Sequence, residues 1–128
     1  MPGLRVLIVD DSSVMRKIVA RALQQCGLLL GEIMEAGNGA EALELLRRER
    51  ADLVLCDINM PVMDGLEFVR QLRSVANAGG VPVVMITTEA SESQVMQAIC
   101  CGARGYIRKP FTPDQVQQQI VALLQPPQ

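Results

Sequence analysis

An α/β domain, with an open parallel sheet covered by helices on both faces, is the fold this sequence predicts. Three observations predict it. Short apolar runs of strand length alternate five times with longer stretches of helical periodicity in 128 residues. The runs are near-continuous instead of alternating apolar and polar, as expected of strands whose sheet is covered on both faces. No internal repeat, low-complexity tract or linker interrupts the pattern before the last few residues, so residues 1–128 read as one domain.

Val6-Leu7-Ile8-Val9 is the first strand. Val14, Ile18 and Ala22, with Met15, Val19 and Leu23, then recur at helical spacing up to Gly27, a C-terminal stop. Glu32 to Ala36 is a weaker strand candidate. From Ala40 to Arg50, the stripe Ala42, Leu43 and Leu46 opposes Glu41, Glu44, Arg47 and Arg48, which makes an amphipathic helix. Leu53-Val54-Leu55-Cys56 is the third strand, and Leu66 to Ser74 the third helix, with Phe68, Val69 and Leu72 as its apolar side. Asn77-Ala78-Gly79-Gly80 reads as a loop before the strand Val83-Val84-Met85-Ile86. Val95, Met96, Ile99 and Cys100 form a helical face ending at Gly102. Tyr106 and Ile107 sit in a short last strand. Val116, Ile120, Leu123 and Leu124 line a final helix, closed by Pro126-Pro127.

Twelve Lys plus Arg against fourteen Asp plus Glu give a net charge of −2. That mild acidity lacks the basic footprint of a nucleic-acid binder or of a protein drawn to an anionic membrane face. Phe68, Tyr106 and Phe111 are the only aromatics, too few for a stacking platform. No apolar stretch approaches the ~20 residues that span a bilayer. The first apolar run is stopped at once by Asp10 and Asp11, unlike a signal peptide. A soluble, cytoplasmic protein is expected. The four cysteines, Cys26, Cys56, Cys100 and Cys101, show no CxxC spacing and read as reduced core thiols. The chain has no histidine, which excludes Ser-His-Asp and Cys-His catalysis and most zinc sites.

Ligands of such sheets bind beyond the carboxyl ends of the strands, so the residues that follow each run matter. Asp10 and Asp11 follow the first strand, Asp57 the third, Thr87 and Thr88 the fourth, and Lys109-Pro110 the fifth. Singly, each has an ordinary reading: an Asp there is usually a cap or turn residue, and a lysine is usually solvated. Together they place three carboxylates, a hydroxyl and one ammonium on a single rim. Two carboxylates about 4 Å apart repel by roughly 4 kcal/mol at an effective dielectric near 20. A divalent cation removes that repulsion, and hard oxygen donors without His or CxxC favour Mg²⁺, which typically serves a phosphate. A carboxylate can itself accept a phosphoryl group, and phosphoryl transfer needs mainly positioning and charge neutralisation. The pattern points to a Mg²⁺-dependent phosphoryl site.

Asp10-Asp11, the loop Asp57-Ile58-Asn59-Met60-Pro61-Val62-Met63-Asp64-Gly65, Thr87 and Lys109-Pro110-Phe111 together resemble the receiver domain of two-component response regulators, over essentially the whole chain. The resemblance implies a flavodoxin-like, doubly wound, five-stranded parallel sheet of order 2-1-3-4-5 with five helices. It implies that Asp57 is the phosphoacceptor, charged by a phosphohistidine on a sensor histidine kinase of the CheA kind. Asp11, the Asp57 carboxylate and the backbone carbonyl of Asn59 would hold Mg²⁺, with Asp10 assisting. Lys109 and Thr87 would each contact a phosphoryl oxygen, and the Lys109–Pro110 peptide would be cis. On phosphorylation Thr87 would move toward the new charge and Tyr106 would fill the space it leaves, a two-state switch biased by local charge.

Within the family the chain is most similar to single-domain chemotaxis regulators of the CheY type. Asn59 and Glu89, two residues beyond Asp57 and Thr87, match the pair in the enteric member that flanks the water attacking the aspartyl phosphate. Output would be read on the face from Glu92 to Leu124 by a partner protein, with the flagellar motor switch as one candidate, and the protein would be a monomer. Ile58 stands where the enteric protein has Trp, and Thr88 where it has Ala. The last helix is rich in glutamine, Gln115 and Gln117 to Gln119, with few charges for a basic peptide. The alternative is an isolated receiver of a larger regulator or hybrid kinase, Gln125 to Gln128 being the start of a linker. The protein is expected to be no enzyme toward outside substrates, catalysing only its own phosphorylation and dephosphorylation. A haloacid-dehalogenase-type phosphatase would need Asp where Asn59 stands, and a flavin module would need a phosphate loop in place of Asp10-Asp11.

Overall fold

The computed structural model describes residues 3–75, 79–87 and 92–124. Expectations for Asn77, Ala78, Thr88, Glu89 and Gln125–Gln128, and for the side chain of Leu124, lie outside what is described. Five strands and five helices alternate: β1 (Leu4–Val9), α1 (Ser13–Gln25), β2 (Leu30–Ala36), α2 (Gly39–Arg48), β3 (Leu53–Cys56), α3 (Gly65–Leu72), β4 (Val83–Thr87), α4 (Glu92–Cys101), β5 (Gly105–Arg108) and α5 (Pro113–Leu124). The strands pair in parallel in the order β2-β1-β3-β4-β5. This is the doubly wound, flavodoxin-like arrangement.

Successive side chains of a strand point to opposite faces, and that period sorts the core into two layers. Val6, Ile8, Leu53, Leu55, Val84 and Ile86 pack with Val19, Leu23, Val116 and Ile120 of α1 and α5. Leu7, Val9, Val54, Cys56, Val83 and Met85 pack with Leu43, Leu46, Phe68, Leu72 and Ala98 of α2, α3 and α4. Both faces being covered, β3 and β4 are buried at every residue, which is why their sequences carry no polar alternation.

Helix starts follow local chemistry. Ser12, Asn38 and Asp64 are the N-caps of α1, α2 and α3, each accepting a backbone N–H three residues on. Gly27, with φ +87°, turns the chain away after α1. Val62 is the one non-glycine residue with positive φ, +68°, among those described.

Three expectations are corrected. Val14 and Ile18 were expected on the buried side of the first helix, but they are 66% and 48% exposed. The Val19, Ala22 and Leu23 edge of α1 is buried against the sheet, with Met15 and Ala20 packed partly on it, and Ile18 and Val14 lie roughly 100° and 140° round the helix from Val19. Among the described side chains of α4 the buried one is Ala98, whereas Met96, Ile99 and Cys100 face outward and Val95 is half-buried. A small residue lets this helix sit close, so the larger apolar side chains are the ones turned away. The cysteines therefore divide: Cys26 and Cys56 are buried thiols, Cys100 is exposed and Cys101 half-buried, and all four are free.

Candidate functional site

The pocket is made at the ends of β1, β3, β4 and β5. Val9 pairs with both Ala36 and Cys56, and the ladder runs one residue further on each strand. The Asp10 N–H donates to the Ala36 carbonyl at 3.1 Å, and the Asp57 N–H to the Val9 carbonyl at 2.9 Å. Asp10 and Asp57 thus start level on adjacent strands. Carboxylate oxygens of Asp10, Asp11 and Asp57 lie within 4.8 Å of one another.

Lys109 enters from the far side of the sheet. Its backbone N–H donates to the Thr87 carbonyl at 2.9 Å, and the Lys109–Pro110 peptide is cis. The Lys109 ammonium donates to Asp10 Oδ2 at 3.0 Å and lies 3.6 Å from Asp57 Oδ2, with 8% of the lysine side chain exposed. Thr87 is the fully buried last residue of β4, on the strand between β3 and β5. Tyr106 of β5 pairs with Met85 of β4 and is exposed. Asn59 is exposed just beyond Asp57.

Asp57 is the electrostatically loaded member. Burial pushes its carboxyl above the usual carboxylate range; Lys109 opposes this, Asp10 adds to it, and the N–H groups of Ile58 and Asn59 pull it back. The Ile58 N–H donates to Asp57 Oδ1 at 2.7 Å. Folding therefore favours the protonated form of Asp57. Below the ordinary carboxylate range the folded and unfolded chains both hold that proton, and no penalty exists. As pH rises through the window up to the raised folded value, stability falls, and above it the loss is complete. Asp57→Asn is expected to be more stable than the parent at pH 7 without divalent cations. The difference should shrink toward pH 3; urea unfolding at both pH values measures it, and an equal or lower pH 7 midpoint would contradict this account.

The donor set suits a hard cation. Only carboxylate oxygens are grouped here, the chain has no histidine, and the Cys56 thiol is turned onto the Asp57 carbonyl at 3.1 Å. Asp11 is exposed, which leaves room for water on a bound ion, as Mg²⁺ prefers.

Two features of the pocket have no signal in the sequence periodicity. Arg16 of α1 reaches back to the Asp10 carbonyl, a contact made only by the fold. Gly65 lies against the Asp57 backbone; its place in the Asp57–Gly65 loop could have marked it.

Acidic side chains at the ends of the adjacent strands β1 and β3, faced by a buried lysine ahead of a cis proline on a 2-1-3-4-5 sheet, define a signalling receiver with a CheY-like fold. The family model of the response regulator receiver domain matches residues 6–121, and the chain belongs to that family. A Campylobacter jejuni chemotaxis protein, described as a CheY homologue, is 37% identical over 122 residues, spanning 94% of this chain and 92% of its own. The solved structure of Vibrio cholerae chemotaxis protein CheY4 superimposes with a TM-score of 0.86 at 36% identity, over 95% of this chain and 99% of that one. The receiver domain of a Pseudomonas aeruginosa sensor histidine kinase, solved with a magnesium ion coordinated in its active-site cleft, matches with a TM-score of 0.80 at 27% identity, covering 91% and 93%. The chain is a CheY-like receiver.

Proposed function

We propose that the chain receives a phosphoryl group on Asp57 from the phosphohistidine of a sensor histidine kinase of the CheA kind, and relays it as a shape change to a partner protein in chemotaxis. The observation that supports this most is Lys109, held 3.0 Å from Asp10 and 3.6 Å from Asp57. A buried ammonium between two carboxylates on a strand-end rim is poised for an anionic group. An Asp57 carboxylate oxygen attacks phosphorus, the P–N bond to the donor imidazole breaks, and its electron pair leaves with the ring nitrogen, which takes a proton from solvent. Lys109 moves from pairing with Asp57 to a phosphoryl oxygen, and the Thr87 hydroxyl takes another. Mg²⁺, held by Asp10, Asp11, the Asp57 carboxylate and the Asn59 backbone carbonyl, would supply neutralisation of the clustered negative charge.

Thr87 and Tyr106 form the proposed switch, and Asn59 and Glu89 tune hydrolysis of the acyl phosphate. The output face runs from Glu92 to Leu124. A groove of about 650 Å³ along β5 and α5, lined by Tyr106, Arg108, Pro110, Gln115, Gln118 and Gln119, suits a polar segment of a partner. The match of the receiver model to residues 6–121 supports the reading of residues 1–128 as one receiver domain. No helix among the described residues is long and apolar enough to cross a membrane.

Acetyl phosphate with Mg²⁺ is expected to add one phosphoryl group, read by intact mass, and Asp57→Asn is expected to remain unmodified. Phosphoryl incorporation retained in that variant would move the acceptor elsewhere and end this reading.

A further inference from the structure

Arg16 makes two short contacts that the phosphoryl chemistry does not call for. Its Nη1 donates to the Asp10 backbone carbonyl at 2.7 Å, and its Nε donates to Glu35 Oε1 at 2.8 Å. A guanidinium is planar and presents its donors as a rigid fork, so Glu35 on β2 sets the direction from which Arg16 reaches the carbonyl. That carbonyl belongs to the planar peptide joining Asp10 to Asp11. Holding the oxygen fixes the plane, and with it the direction in which Asp11 leaves the strand.

The two acids are held differently. The Asp10 side chain is tied at both oxygens, by the Ser12 N–H at 2.9 Å and by Lys109 at 3.0 Å. Asp11 is exposed and has no side-chain partner among the described residues. Its presence within 4.8 Å of Asp10 and Asp57 therefore rests on backbone geometry, and Arg16 is the side chain that holds this peptide.

We infer that Arg16, steered by Glu35, is a positioning residue of the acidic pocket: it sets the Asp10–Asp11 peptide so that the Asp11 carboxylate faces Asp57 across the cation site. Glu35 also cancels the positive charge of Arg16, which would otherwise repel a divalent cation nearby. The inference rests on the reading of this pocket as a Mg²⁺ site. Partners behind a metal's direct ligands commonly change affinity by 10- to 100-fold when removed.

Calorimetric Mg²⁺ titration of the full chain, paired with the Mg²⁺-dependent rise in Tm, tests it on Arg16→Gln, Arg16→Lys and Glu35→Gln. Arg16→Gln is expected to weaken Mg²⁺ binding about tenfold. Arg16→Lys should recover part of that loss, because an ammonium can reach the carbonyl without the fork. Glu35→Gln should weaken binding by a smaller factor. If Arg16→Gln is too unstable to titrate, Arg16→Lys and Glu35→Gln carry the comparison, and parental affinity in both overturns the inference. Unchanged or tighter binding in Arg16→Gln overturns it too, since removing a nearby positive charge alone would favour the cation. A parent chain that binds no Mg²⁺ refutes the pocket reading itself, a distinguishable result.

Discussion

Lys109→Met is expected to lower the unfolding free energy in divalent-free buffer by about 3 kcal/mol, and to abolish most phosphoryl acceptance on Asp57. Lys109 is 8% exposed, and its partners Asp10 and Asp57 are 6% and 14% exposed. Methionine keeps the length and apolar stem but removes the ammonium, leaving two carboxylates facing each other with Asp11 beside them. Breaking one partner of a buried ion pair typically costs about 3–5 kcal/mol, because the remaining charge is uncompensated. The lower end applies here, since the Ser12 N–H still serves Asp10 and the Ile58 N–H still serves Asp57. For a domain this size the loss corresponds to a Tm lower by about 10 °C.

Three readouts separate this account from simple loss of packing. Added Mg²⁺ should restore most of the lost stability by replacing the missing positive charge. Lowering the pH should narrow the gap to the parent, because protonated carboxyls no longer repel. Asp57→Asn should suppress the effect, giving a coupling energy in the double mutant cycle. On activity, losing one fixed cation from a developing anionic centre costs about 10²–10³ in rate in comparable sites, measured as initial labelling by acetyl phosphate at saturating Mg²⁺. A Lys109→Met protein with the parental Tm without divalent cations would show that the pair at 3.0 Å contributes nothing to the fold.

The strands were legible because burial on both faces removes polar residues from them, so Val6–Val9, Leu53–Cys56 and Val83–Ile86 stand out as continuous apolar runs. β2 was weaker for a physical reason: it is an edge strand, open at Leu30, Gly31 and Glu32, and its sequence is mixed accordingly. The rim residues were legible through topology. Parallel strands end on one side, so Asp10, Asp57 and Lys109 had to share it, whatever their separation in the chain. Helix faces were read less well. Periodicity locates an apolar side but does not say which neighbour it meets, and α4 meets the sheet layer through Ala98 while Met96 and Ile99 remain outside. The support behind the carboxylates was hidden for a related reason. Arg16 turns back to the Asp10 backbone carbonyl from α1 and meets Glu35 on β2; arginine and glutamate are ordinarily solvated, and nothing in their spacing announces either contact.

Gly65→Ala is the other large effect, and here two forces have opposite signs. By helix propensity alone, alanine at the start of α3 should stabilise by up to about 1 kcal/mol relative to glycine. Gly65 has no left-handed backbone that would require glycine, so nothing conformational opposes the change. Sterics do. A Cβ at Gly65 would lie 2.3 Å from the Asp57 carbonyl oxygen, 2.7 Å from Met85 Cε and 3.0 Å from Ile58 Cα. The methionine tip can move aside, but the other two atoms are backbone. They are tied in place, since the Gly65 N–H itself donates to the Ile58 carbonyl at 2.8 Å and the Cys56 thiol donates to the Asp57 carbonyl. Relief therefore requires α3 to lift from the end of β3 or the Asp57 peptide to shift. Overpacking of this kind costs roughly 1–3 kcal/mol, and more where backbone must move, so a net loss of about 3 kcal/mol is expected in spite of the propensity gain. The same displacement turns the Asp57 carboxylate away from Lys109, so labelling by acetyl phosphate should fall along with the denaturation midpoint. Gly80→Ala is the matched control: a Cβ there meets nothing within 4 Å, and the substitution should leave both measurements unchanged or slightly raise the midpoint. Parental stability and labelling in Gly65→Ala would mean that the N-terminus of α3 does not fix the Asp57 backbone.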